Sequence, residues 1–226
     1  MNGESILAYL SQLSLHNDRE WFHANKSAYG EAREAFEELV RALTLELHAR
    51  DASIPLADPR TLTFKLMRDT RFSQDKSPYN PAFRAHIAPE GKQPIPVGYF
   101  ISIKPGNQSI LGGGLFADMF KDATGMVRDY LVSHTDEWLA VVSDPVFQSH
   151  FTVGGTALKN VPRGYDAAHP QAAYLKHKSW YLEVPVSDER FNQEDFIEYA
   201  VDTFMMMKPF NDYLNRALKG FQMPKR

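Results

Sequence analysis

The chain has 226 residues, 43% hydrophobic and 23% charged, with a formal charge of −3; this is ordinary globular composition, and a chain of this length buries roughly 70% or more of its unfolded surface without a disulfide or metal. Cysteine is absent, which excludes disulfides, thiol catalysis, thiolate-bound zinc and iron–sulfur clusters. The opening MNGESILAYLSQL lacks a basic leader and a small-residue cleavage site, and no apolar run approaches the ~18–20 residues of a membrane helix, so the expectation is a cytoplasmic protein with no membrane association.

Ile6, Leu7, Leu10 and Leu13 recur at helical spacing behind Ser5, which predicts a short capped first helix. Asn17 followed by Glu20 fits a capping box. The helix it opens is predicted to run towards Leu47, with Trp21, Ala28, Ala32, Phe36, Leu39 and Leu43 near one face and a break near Gly30. DASIPLADPR reads as a loop. From Leu62 the period changes to two, with Leu62, Phe64 and Leu66 on one side, which predicts a strand. PAFRAHIAP, VGYFISIKPG and QSILGGGLF follow as further strands, with KPGNQS as a hairpin turn between the last two.

Asp118 to Val132 is predicted helical, through Met119, Phe120, Met126, Val127, Tyr130 and Leu131. TDEWLAVVSD is predicted as a helix capped by Thr135, and Ser179 to Val184 as a strand. Phe196, Ala200, Thr203, Phe204 and Met207 share a helical face; Pro209 is expected to kink or end that helix, and Gly220 to end its continuation. The order of helices, sheet, helices, strand and helices gives an α+β fold. It is expected as one domain over 1–226, with a mainly antiparallel sheet packed against N- and C-terminal helices.

Charge is unevenly spread. Residues 60–84 carry a local +4 (Arg60, Lys65, Arg68, Arg71, Lys76 and Arg84 against Asp69 and Asp75), and residues 158–180 a local +3 (Lys159, Arg163, Lys176 and Lys178 against Asp166), leaving −10 on the rest of a chain at −3. In FKLMRDTRFSQDKSPYN, Arg68 and Arg71 offer forked donors suited to phosphate or carboxylate, Lys76 adds a point charge, and Tyr79 offers a ring to stack. Trp21 is a second stacking candidate, and Asp69 and Asp75 would orient the arginines or act as a base. Arg163, beside Gly164, and Lys178 would complete a pocket if the two basic stretches meet. The competing reading pairs Asp69 and Asp75 internally with Arg68, Arg71 and Lys76 as a structural network.

Other chemistry is thinly represented. GGGLF lacks the Lys-Ser/Thr of a phosphate loop and reads as a bulge or tight strand end. The eight histidines show no zinc spacing, Asp166 and His169 being the nearest pair, so no metal is expected. No G-x-S-x-G elbow is present and nothing points to a cofactor.

The succession of NDREWFHANKSAY, RDTRFSQDKSPYN, GGGLF and PRGYDAAHP followed by LKHKSW resembles a bacterial and fungal family grouped as domain of unknown function 2461. The resemblance spans about Ile6 to Leu218. Its most specific part is Arg68, Asp69, Arg71, Phe72, Ser73, Asp75, Lys76, Pro78 and Tyr79; Asn80 stands where the pattern has a lysine. The resemblance implies one compact domain and a shared role for these loops, and brings no activity or catalytic residue. Two functional expectations result: a site for a phosphorylated or other anionic small molecule, or a non-catalytic module offering the basic loops to an acidic protein or, less readily at this net charge, to a nucleic-acid backbone.

Overall fold

The computed structural model describes residues 3–116 and 120–224. Four antiparallel strands form one sheet in the order β1 (Phe83–Ile87), β2 (Tyr99–Ile103), β3 (Ser109–Leu115) and β4 (Trp180–Val186). The β2–β3 hairpin turns on Gly106 and Asn107, both at positive φ. Asp188 accepts from both of their backbone N–H groups.

Alternation along the strands divides the sheet into two faces. Phe83, Ala85, Tyr99, Ile101, Leu111, Trp180 and Leu182 are buried on one. Arg84, Phe100, Ile110, Gly112, Tyr181 and Glu183 take the other, in the register Arg84↔Ser102, Phe100↔Gly112 and Gly112↔Glu183.

The long helices gather on the first face. α1 (Gly3–Leu15) sends Tyr9 to Phe83, with ring centroids 6.4 Å apart, and α3 (Lys26–Arg50) sends Phe36 to the same ring at 5.3 Å. α10 (Phe196–Ala217) meets Tyr99 through Phe204 at 5.2 Å. α5 (Lys121–Ser133) and α6 (Thr135–Val142) pack on α10, with Trp138 of α6 against Phe210 and Tyr213. The core is one continuous cluster reaching from Ile6 to Leu218. The fold is α+β, with a four-stranded antiparallel sheet and helices at both termini, as its sequence pattern implies.

Several local expectations are corrected. Ser5 lies inside α1, so it is not its cap. The cap of α2 (Arg19–Ala24) is Asp18, whose Oδ1 accepts from Trp21 N at 2.8 Å, and not Asn17. The break in the long N-terminal helix falls at Asn25 rather than Gly30, which continues within α3. Residues 62–67 form no named strand: Leu62 closes the short helix α4 (Pro59–Leu62), and only single bridges Thr63↔Ala85 and Met67↔Tyr79 follow. Leu62 and Leu66 are buried while Phe64 is 36% exposed, which breaks the period of two.

Thr135 begins α6 but does not cap it; its hydroxyl donates to Leu131 O at 2.9 Å. α10 runs through Pro209 without ending. Proline lacks the N–H that would meet the Met205 carbonyl, but the fully buried Phe204, Met207, Phe210 and Leu214 anchor both halves of the helix in the core. The part of the 118–132 expectation on Asp118 and Met119 lies outside the described residues; the helix begins at Lys121.

Three short helices complete the order: α7 (Pro145–His150), α8 (Ala172–Leu175) and α9 (Asp188–Phe191). No helix among the described residues is long and apolar enough to cross a membrane.

Candidate functional site

The 67–79 segment is a flap pinned at its base. Arg68 N donates to Pro78 O at 2.9 Å and Asn80 N to Leu66 O at 2.8 Å. Asn17 clamps the same place, its Nδ2 donating to Tyr79 O at 2.9 Å and its Oδ1 accepting from Tyr79 N at 3.1 Å. Here lies the role of the residue expected to cap a helix. Asn17→Ala removes both bonds, at about 0.5–1.5 kcal/mol each, a melting loss of roughly 2–12 °C at this chain length. Hydrogen exchange should quicken first at Arg68 and Asn80.

Within the flap, cations and carboxylates satisfy one another. Arg68 Nη1 pairs with Asp75 and also reaches Ser77 O at 3.3 Å. Arg71 grips Asp69 with two nitrogens, at 2.9 Å (Nε–Oδ1) and 2.6 Å (Nη2–Oδ2). Lys76 Nζ donates to Thr70 O at 3.0 Å. The Asp75 carboxyl is held well below its usual range, first by the Ser77 hydroxyl, then by the Ser77 N–H and Arg68. Asp69 is lowered by Arg71. The Arg71 side chain is 77% exposed, where such pairs contribute little to stability.

The stacking candidates are committed elsewhere. Tyr79 is 4% exposed, and its ring stacks on Phe22 at 4.3 Å. Trp21 is half-buried and stacks on His16 at 5.6 Å.

Arg163 and Lys178 are not brought to this flap. Arg163 is exposed on a turn with Gly164 at φ 99°. Tyr165 ties that turn to α5, its hydroxyl donating to Asp129 at 2.7 Å. Lys178 N donates to Thr156 O, in the segment that bridges β4 at Gly154↔Tyr181. The flap's own lead-in bridges β1 at Thr63↔Ala85. The two basic stretches thus flank opposite edges of the sheet. Five inter-strand steps of about 4.8 Å separate those edges, roughly 24 Å.

The more coherent arrangement lies on the second face of the sheet, opposite the long helices. Phe64, Phe100, Phe116 and Tyr181 follow one another across it, with centroid separations of 6.4, 5.8 and 4.6 Å. Phe64 and Phe116 are 36% and 41% exposed. Glycine makes room for them: a Cβ at Gly112 would lie 3.3 Å from the Phe116 ring, and one at Gly154 would lie 2.8 Å from Tyr181. Gly112 to Leu115 of the GGGLF run form the end of β3, with Gly114 at φ 97°, and Phe116 follows it.

Beside Phe64 sits Arg84, its guanidinium 5.6 Å from the ring centroid. Nη2 donates to Lys65 O at 3.1 Å, while Nε is buried without a partner. No carboxylate among the described residues pairs with Arg84, and burial lowers its pKa. Lys65 and Lys92 lie nearby, Lys92 Nζ donating to Thr63 O at 3.3 Å. His86 shares the face, 8% exposed, pushed down to about 4 by burial and therefore neutral at pH 7.

The alternation in FRAHI puts Arg84 on the same face as His86, and that signal was available in sequence. The location of Phe64 was not, because it depends on the bridge at Thr63. No group of three or more potential metal ligands occurs among the described residues.

Residues 5–213 match the model of a family described as conserved hypothetical protein (DUF2461). No curated protein and no solved structure matches the chain.

Proposed function

The chain belongs to the DUF2461 family of conserved hypothetical proteins, and from that premise we propose that it binds an anionic small molecule carrying a flat ring, of the nucleotide class, on the helix-free face of the sheet. One observation carries this reading: Arg84 is a partly buried guanidinium with an unpartnered Nε and no carboxylate, set beside the partly exposed ring of Phe64. A buried cation without an anion is costly. A phosphate at Nη1, beside the Nη2 that donates to Lys65 O, offsets that cost through charge-assisted hydrogen bonds, and a base or similar ring packs against Phe64 and Phe100. The flap is the alternative seat for the anion. Its arginines already hold Asp69 and Asp75, so a ligand there must first displace a carboxylate.

Thermal unfolding and calorimetric titration with AMP, ATP, ribose 5-phosphate and inorganic phosphate test the reading. A ligand at a hundred times its dissociation constant stabilises by about 2.7 kcal/mol, a rise of roughly 5–10 °C for this length. Arg84→Gln is expected to weaken nucleotide binding by about tenfold or more, Phe64→Ala by less, and Arg71→Ala not at all. Loss of binding in Arg71→Ala with Arg84→Gln unaffected moves the site to the flap. No shift with any ligand refutes both.

A second reading attaches to the flap tip. Phe72 is 96% exposed beside Arg71, and Met67 is 70% exposed. An apolar tip among basic side chains suits a non-catalytic contact with an acidic protein, whose affinity falls steeply with salt. Phe72→Ala would abolish that contact while leaving nucleotide binding intact.

A further inference from the structure

A cleft of about 810 Å³ opens between residues 89–96 and the C-terminal end of α10. Its size is that of a small-molecule site, and it belongs to neither the flap nor the aromatic face. Ile95, Pro96, Leu218, Phe221 and Met223 give it apolar walls, and Glu90, Asp212, Arg216 and Lys219 give it charge of both signs.

The inner wall is acidic. Asp51, 5% exposed, accepts from Tyr99 Oη at 2.8 Å and from Ser53 Oγ at 2.8 Å. Lys208 Nζ lies 3.6 Å from Asp51 and 2.8 Å from Asp212. Of these three only Asp212 lines the cleft, with Asp51 and Lys208 behind it; the two carboxylates share one ammonium and carry a net −1. Glu90 adds a second negative charge, and α10 ends nearby at Ala217 with the negative end of its dipole. The outer wall is basic. Lys219 is exposed with no ion pair among the described residues, and the exposed Arg216 pairs with Glu137 at 3.1 Å and lies against Tyr130 and the Tyr213 ring.

We propose that this cleft binds a short peptide with free termini, its ammonium group at Asp212 and Glu90 and its carboxylate at Arg216 and Lys219. Helix geometry sets the length. Asp212 and Arg216 are one turn apart, about 6 Å along α10, and Lys219 follows just past the helix end at Ala217. An extended chain advances about 3.3–3.6 Å per residue, so two to three residues span the charges and a free amino acid does not. A purely anionic ligand meets repulsion at the inner wall, and a simple amine leaves Lys219 unused.

Calorimetric titration with Ala-Ala, Ala-Ala-Ala, N-acetyl and C-amide derivatives of the tripeptide, and free alanine tests this on the full chain. The free tripeptide is expected to bind, with each blocked form weaker by about tenfold, the scale of one lost charge-assisted contact. In Lys219→Gln the amide and free acid should bind alike, and in Glu90→Gln the acetylated and free peptides should draw closer. Both side chains are exposed, so neither variant endangers the fold. The proposal is overturned if no peptide binds at millimolar concentration, if blocked and free peptides bind equally, or if both variants bind as the wild type does. Arg84→Gln serves as a control and should leave peptide binding unchanged.

Discussion

Gly114→Ala is expected to lower the unfolding free energy by about 3 kcal/mol, combining left-handed backbone strain with overpacking, and the melting temperature by roughly 6–12 °C. Gly114 has φ 97°, and a Cβ there would lie 2.4 Å from the Trp180 carbonyl oxygen and 2.8 Å from the Phe210 ring. The carbonyl belongs to β4, directly across the ladder at Gly114↔Tyr181, so it yields only if the β3–β4 pairing opens. Gly164 supplies the control: its φ is 99°, but nothing lies within 4 Å of its added Cβ. Gly164→Ala should therefore cost only the strain, about 1–2 kcal/mol. Equal losses in the two variants, measured by urea or heat, would remove the steric argument.

Asp51→Ala is expected to cost about 3–5 kcal/mol at pH 7, the range for breaking a buried charge network by removing one partner. It strands the hydroxyl of Tyr99, itself 1% exposed, and leaves Lys208 with Asp212 alone. Burial alone would raise the Asp51 pKa. The Ser53 hydroxyl, the Tyr99 hydroxyl, the Ser53 N–H and Lys208 outweigh it, so the folded value lies below the ordinary one. A depressed carboxylate pKa contributes stability that is full above the unfolded value of about 4 and is lost as pH falls through the folded value. The gap between wild type and variant should thus narrow below about pH 4. Denaturant titrations at pH 7 and pH 3 check this; a gap that widens in acid would show that Asp51 is held protonated in the fold.

The sequence carries the fold where local pattern and tertiary environment agree. FRAHI, YFISI and SILGGGL become β1, β2 and β3, and the face through Phe196, Ala200, Phe204 and Met207 becomes the buried side of α10. It misleads where one residue type serves two purposes. Asn17 has the chemistry of a cap, but Asp18 stands next to it and does that work, freeing Asn17 for Tyr79. Leu62, Phe64 and Leu66 alternate as a strand would, yet Leu62 ends a helical turn and Phe64 crosses to the other face of the sheet.

The candidate site was legible only in its chemistry. An arginine beside an aromatic ring is present, but it is Arg84 with Phe64, joined through a bridge between residues about twenty apart. The density of charge in the flap reads as a ligand site in one dimension. In three, each carboxylate answers a neighbouring guanidinium.

β3 ends at Leu115 and β4 begins at Trp180, and this separation bears on how the protein is made. During synthesis at about 5–20 residues per second, the 64 positions between them take roughly 3–13 s to appear. For that interval the nascent sheet has three strands, and its growing margin is SILGGGL. Three successive glycines make that margin a weak template for stray strands, because they offer no side chains to pair and lose the most freedom on ordering. The glycines that seat Phe116 and clear the Trp180 carbonyl in the finished molecule would thus also guard the ribosome-bound chain against premature partners.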